Sequence, residues 1–104
     1  MKNILVGIDG SDRSQCALDW ATALANKTEG AQITLLAVID PGSARLAGSD
    51  EKILQTAVDN VLGSSQERIA ENYPALTVHT TVGRGDIVEA LIAASEDHDI
   101  VVLG

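Results

Sequence analysis

A carboxylate, a glycine and a hydroxyl follow one another near the start of the chain, at Asp9, Gly10 and Ser11. A carboxylate accepts hydrogen bonds from ligand groups, and Gly10 can adopt backbone conformations that strain other residues. Ser11 has the type of side chain that caps a helix start, where free backbone N–H groups also attract anions. These residues therefore predict a ligand-binding turn. The alternative is that Asp9 and Ser11 only cap the turn and the following helix.

Other reactive side chains do not have a spacing that indicates a site. The two histidines, His79 and His98, lack the spacing of metal ligands, and the single cysteine, Cys16, rules out an internal disulfide. No serine–histidine–aspartate or paired-carboxylate arrangement can be recognised. The sequence therefore predicts no catalytic residues and no metal site.

Strands and helices alternate along the chain, and they must position the turn. Continuous apolar runs, and one alternating run that indicates an edge strand, predict strands near residues 3–9, 32–39, 76–82 and 99–103. Helical periodicity predicts helices over residues 12–27, 50–72 and from the capping residue Asp86 to about 97. This order predicts an α/β fold, a doubly wound parallel sheet between two layers of helices, with the first strand central. Ligands bind such sheets at the carboxyl ends of the strands, where the Asp9 turn lies.

Trp20 has helical spacing with Cys16, Ala23 and Leu24 in an apolar stripe of the first predicted helix. We therefore expect Trp20 and Cys16 to be core packing residues. Tyr73 is the one other aromatic residue, so the core must be built from Ala, Val, Ile and Leu.

The net charge of −8 limits the partners of the protein. An acidic surface repels nucleic acid and anionic lipid, so we expect no nucleic-acid and no membrane partner. No signal peptide and no apolar run of about 20 residues, the length that spans a bilayer, can be recognised. We expect one cytoplasmic domain over residues 1–104. The apolar strand before Gly104 would be an exposed sheet edge, so we expect further residues or another subunit to cover it.

Four segments, in their order and spacing, resemble the universal stress protein family along the whole chain. They are N-I-L-V-G-I-D-G-S at residues 3–11, the strand ending at Val38, the segment Gly83-x-x-Asp86-Ile87, and D-I-V-V-L-G at residues 99–104. The resemblance implies a Rossmann-like, adenine nucleotide alpha hydrolase-like fold with strand order 3-2-1-4-5. Here we expect order 3-2-1-4, with the last helix and fifth strand of the family absent from the sequence.

The resemblance also implies a stress-response protein that binds ATP between its first and fourth strands. Asp9, with Gly10 and Ser11, would face the ribose and adenine, and the backbone near Val38 would meet the adenine edge. Gly104 would be the first glycine of the family's phosphate loop, G-x2-G-x9-G-[ST]. Because the chain is acidic, Mg²⁺ would screen the triphosphate. A homodimer is expected by the same resemblance. Two alternatives stay open: a dimeric interaction module that binds no nucleotide, and a slow ATP hydrolase.

Overall fold

A computed structural model of the chain describes residues 3–39 and 51–103. Strands and helices alternate within them: β1 Asn3–Gly7, α1 Asp12–Lys27, β2 Gln32–Ile39, α2 Glu51–Asn72, β3 Thr77–Arg84, α3 Ile87–Ser95 and β4 Ile100–Leu103. Every predicted element is present, and the predicted bounds differ from these by at most two residues. No helix within the described ranges is both long enough and apolar enough to cross a membrane.

The four strands form one sheet in the order β3-β2-β1-β4, and all three strand pairs are parallel. The predicted α/β doubly wound fold and its strand order are therefore confirmed. From β1, the next two strands are added on one side of the sheet, and β4 is then added on the other side of β1. Because such crossovers are right-handed, α1 and α2 cover one face of the sheet and α3 covers the opposite face.

The main core lies between the sheet and the pair α1 and α2. It is aliphatic, as the composition predicts, and its buried members include Ile4, Val6, Ile8, Leu18, Ala21, Ala25, Ile33, Leu35, Leu62 and Ile69. On the α3 side of the sheet, Leu5 and Leu36 are also buried. β1 is therefore buried on both faces, which agrees with its continuous apolar sequence.

Trp20 is 59% exposed, so the prediction that it is buried was wrong. The buried residues of α1 are instead Ser14, Ala17, Leu18, Ala21, Thr22 and Ala25. Small side chains at this spacing let the helix lie close to the sheet, and a bulky indole at their centre would hold the two apart. Cys16 is exposed as well, so the expectation of a packing role for it was also wrong. Both residues therefore lie outside the buried face of α1.

Candidate functional site

The chain turns sharply between β1 and α1. Gly10 has a φ of 85°, in the left-handed region that favours glycine. The N–H of Ile8 still donates to the carbonyl oxygen of Leu36 on β2, over 2.9 Å, so the chain leaves the sheet only at Asp9. The carboxylate of Asp9 and the start of α1 are thereby brought to the carboxyl edge of the sheet.

Hydrogen bonds among Asp9, Ser11 and Ser14 hold this turn. The N–H of Ser11 donates to Asp9 Oδ1 over 2.8 Å, and the N–H of Ser14 donates to Ser11 Oγ over 3.2 Å. The Ser14 hydroxyl donates to the carbonyl oxygen of Ser11 over 3.0 Å and accepts from the N–H of Asp9 over 3.4 Å. Ser11 is therefore the N-cap that the sequence predicts, and Asp9 caps the turn through one oxygen.

Hydrogen bonding by Ser11, through its side chain and then its backbone N–H, holds the pKa of Asp9 below the ordinary value of 3.8. Partial burial raises this pKa but does not cancel the effect. The carboxylate is therefore ionised in neutral solution, and it can accept hydrogen bonds without first losing a proton.

The lowered pKa of Asp9 predicts a pH dependence of stability. Because the folded state favours the ionised carboxylate, its contribution is fully present above pH 3.8 and is lost as the pH falls through the lowered pKa. Asp9→Asn keeps an acceptor for Ser11 but does not titrate. At neutral pH we expect the free energy of unfolding of the wild type to exceed that of the variant by roughly a few tenths of a kcal/mol. In acid this difference should vanish. Urea unfolding across this pH range measures it; a difference that is constant with pH would contradict the assignment.

A crevice of about 70 Å³ opens beside the turn, where β1, β2 and β4 end. Its lining comprises Gly7, Ile8, Asp9, Ser14, Leu36, Val38, Leu91 and Leu103. The walls are thus mostly aliphatic, and Asp9 is the charged residue among the described residues of the lining. Such a crevice fits a flat apolar group whose edge can form hydrogen bonds.

Val38 lines the crevice, and the pairing of β2 indicates the direction of its backbone groups. The ladder between β1 and β2 ends at the pair Gly7 and Leu36. The carbonyl of Leu36 points towards β1, where it accepts from Ile8. Since backbone groups alternate between the two sides of a strand, the N–H and C=O of Val38 point the same way, past the end of β1. A donor and an acceptor therefore face the Asp9 turn.

Leu103 partly fills the crevice from β4. A Cβ atom at Gly7 would lie 2.6 Å from Leu103 Cδ2, so the leucine occupies the space that the glycine leaves open. Leu103 is nevertheless 55% exposed, because it ends an edge strand. A rotation of its side chain towards solvent would enlarge the crevice.

The predicted site residues do not all line the same crevice. Asp9 and Val38 line the crevice, whereas Gly10 lines a neighbouring cleft against α2. Ser11 is engaged in the helix cap, and Gly104 lies outside the described residues. Within the described part of the chain, no three His, Cys, Asp or Glu side chains are close enough together to hold a metal ion.

Six residues of the crevice lining were not identified as site residues from the sequence: Gly7, Ile8, Ser14, Leu36, Leu91 and Leu103. Ser14 can be predicted from the sequence: it lies three positions after the N-cap Ser11, and side chains at this spacing share a helix face. Leu91 and Leu103 have only the general apolar character of their elements. Their place in the crevice follows from the position of β4 beside β1 and of α3 over both.

Comparison with known proteins gives a consistent result. A model of the universal stress protein family matches residues 1–104. Universal stress protein Rv2623 of Mycobacterium tuberculosis (strain ATCC 25618 / H37Rv) is 29% identical over 101 residues, which are 97% of this chain and 34% of that protein. The chain thus spans about a third of the length of the curated relatives that it matches.

Solved structures resemble the fold over nearly the whole chain. Protein Rv1636 from Mycobacterium tuberculosis H37Rv is 28% identical, with a TM-score of 0.73, over 99% of this chain and 70% of that one. A universal stress protein in complex with cAMP is 22% identical, with a TM-score of 0.73, over 97% of this chain and 74% of that one. The family model spans the whole sequence, and the strand order is the one that the resemblance implied. The chain therefore belongs to the universal stress protein family.

Proposed function

We propose that this chain binds an adenine nucleotide in the crevice between the carboxyl ends of β1 and β4. The feature that carries the proposal is Val38, which lines the crevice among aliphatic walls. The alternation of backbone groups along β2 directs its N–H and C=O past the end of β1. Adenine is a flat apolar ring with donors and acceptors on its edge, so it complements such a strand end. The universal stress protein solved in complex with cAMP supports the choice of nucleotide class.

Asp9 is proposed to hold the ribose. Its pKa is lowered, so it is an anion in neutral solution, and the N–H of Ser11 holds it in place through Oδ1. A carboxylate that accepts from ribose hydroxyls forms charge-assisted hydrogen bonds, which are stronger than neutral ones. Ser11 and Gly10 act indirectly, by fixing the position of this carboxylate.

The phosphates are proposed to lie towards the start of α1 and towards Gly104. Backbone N–H groups at a helix start attract anions. The net charge of −8 works against this attraction, so Mg²⁺ is expected to accompany a di- or triphosphate. By the resemblance, Gly104 would be the first glycine of the family's phosphate loop.

Nucleotide binding requires a change in the crevice. Its volume of about 70 Å³ is well below the roughly 300–1,000 Å³ that is typical of small-molecule pockets. Leu103 is the residue proposed to move, because its side chain is 55% exposed and occupies the space beside Gly7. Its rotation away from Gly7 would open a slot between Val38 and β4.

Calorimetric titration with adenosine, AMP, cAMP and ATP, each with and without Mg²⁺, tests the proposal. We expect saturable binding of AMP, and a loss of about tenfold in affinity, or 1.4 kcal/mol, in Asp9→Asn. This substitution keeps an acceptor for Ser11, so the turn is preserved. Asp97→Asn is the matched control, because it removes the same charge from an exposed residue next to the amino end of β4.

Two results would reject the proposal. One is the absence of heat and of any rise in melting temperature with all four nucleosides and nucleotides in the millimolar range. The other is equal weakening by Asp9→Asn and Asp97→Asn, which would reflect net charge alone. Either result would favour the interaction-module alternative. Homodimer formation stays a prediction, and gel filtration with light scattering can measure it on the same sample.

A further inference from the structure

A second cleft lies on the other side of the Gly10 turn, between the start of α1 and the middle of α2. It has a volume of about 280 Å³. Its lining comprises Ile8, Gly10, Ser14, Gln15, Asn60, Val61, Ser64 and Ser65. Ile8 and Ser14 also line the nucleotide crevice, whereas the other residues belong to the cleft alone. The two spaces are therefore neighbours with different walls.

The cleft contains one buried polar atom that has no hydrogen-bond partner among the described residues. Gln15 Nε2 is buried and, within the described residues, has no hydrogen bond. Buried amide donors are normally paired, since burial without a partner is unfavourable. Ser65 is also buried, at 6% exposure, on the same face of α2 as the buried residues Leu62 and Ile69. Asn60 and Ser64 add exposed polar side chains to the same lining.

We propose that this cleft binds a small, neutral, hydroxyl-rich molecule of the sugar or polyol class. Glutamine, asparagine and serine provide donors and acceptors together, which is what hydroxyl groups require. Ile8 and Val61 provide aliphatic surface for the C–H groups of such a ligand. Among the described residues of the lining none is charged, and the chain has a net charge of −8, so an anion is disfavoured. The volume far exceeds that needed by a single water molecule.

Titration of the ¹⁵N-labelled chain with D-ribose, D-glucose and myo-inositol, followed by NMR, tests this site. We expect at least one of them to give saturable shift changes at the amides of residues 10–15 and 60–65. Gln15→Leu removes the unpaired donor while keeping a side chain that fills a similar space. We expect it to raise the melting temperature of the free protein and to weaken sugar binding at least tenfold. Gln66→Leu, the same change at an exposed position of α2, should do neither.

The combination of higher stability and lost binding is what distinguishes a ligand site from a packing defect. If no probe gives localised, saturable shifts in the millimolar range, the proposal is wrong. A rise in melting temperature of Gln15→Leu without sugar binding by the wild type would indicate a site for buried water only, and would also overturn it. Asp9→Asn should leave the sugar response intact. Failure of this site and failure of the nucleotide crevice can therefore be told apart.

Discussion

Leu18→Ala is expected to lower the free energy of unfolding by about 2–5 kcal/mol, the usual range for a leucine removed from a core. Leu18 is 1% exposed and packs against the sheet from α1. Trp20→Ala, two positions further along the same helix, removes a larger side chain. We nevertheless expect it to cost less than about 1 kcal/mol, because the indole lies on the flank of α1 and is mostly in water. Denaturant unfolding followed by far-ultraviolet circular dichroism measures both.

Two controls test whether the different burial of Leu18 and Trp20 explains the different losses of stability. Leu18→Met nearly conserves volume, so it should cost less than about 1.5 kcal/mol and report whether the position tolerates change. In the wild type, the fluorescence of Trp20 should have the emission maximum of a hydrated indole and should be quenched by iodide. Equal losses in Leu18→Ala and Trp20→Ala, or a blue-shifted emission, would show that α1 is rotated from the orientation described.

Gly10→Val is expected to lower the free energy of unfolding by about 2–3 kcal/mol. Two effects add. The φ of 85° is strained for any residue with a Cβ atom and more so for a β-branched one. In addition, a Cβ at this position would lie 3.2 Å from Val61 Cγ2, so the Val61 side chain would have to move by a few tenths of an ångström. Denaturant unfolding gives the loss, and the same variant should alter both the nucleotide crevice and the neighbouring cleft.

Gly63→Ala, within α2, is expected to have the opposite effect on stability. The added Cβ meets nothing within 4 Å, and the residue lies inside a helix. Alanine should therefore raise stability by about 0.5–1 kcal/mol, since glycine is the more flexible residue in the unfolded chain. The turn would not require glycine at position 10 if Gly10→Val were neutral, or if Gly63→Ala were as destabilising as Gly10→Val.

The sequence by itself determined the elements, their order and the caps. β1 and β2 have continuous apolar runs, and periodicity is a property of neighbouring residues, so it can be recognised without the fold. Ser11 and Asp86 cap helices through bonds to residues two or three positions away; Asp86 Oδ1 accepts from the N–H groups of Val88 and Glu89 over 2.7 and 3.2 Å. The parallel sheet then followed from the alternation of strands and helices.

Only the tertiary structure decided which residues share a surface. Leu103 meets Gly7 because β4 pairs with β1, although the two residues lie at opposite ends of the chain. The exposure of Trp20 depends on the rotation of α1 about its axis, which is set by how closely its small residues fit the sheet. The unpaired Gln15 amide depends in turn on the gap between α1 and α2. Local patterns determine elements, whereas rotation, register and gaps arise from close packing between segments far apart in sequence.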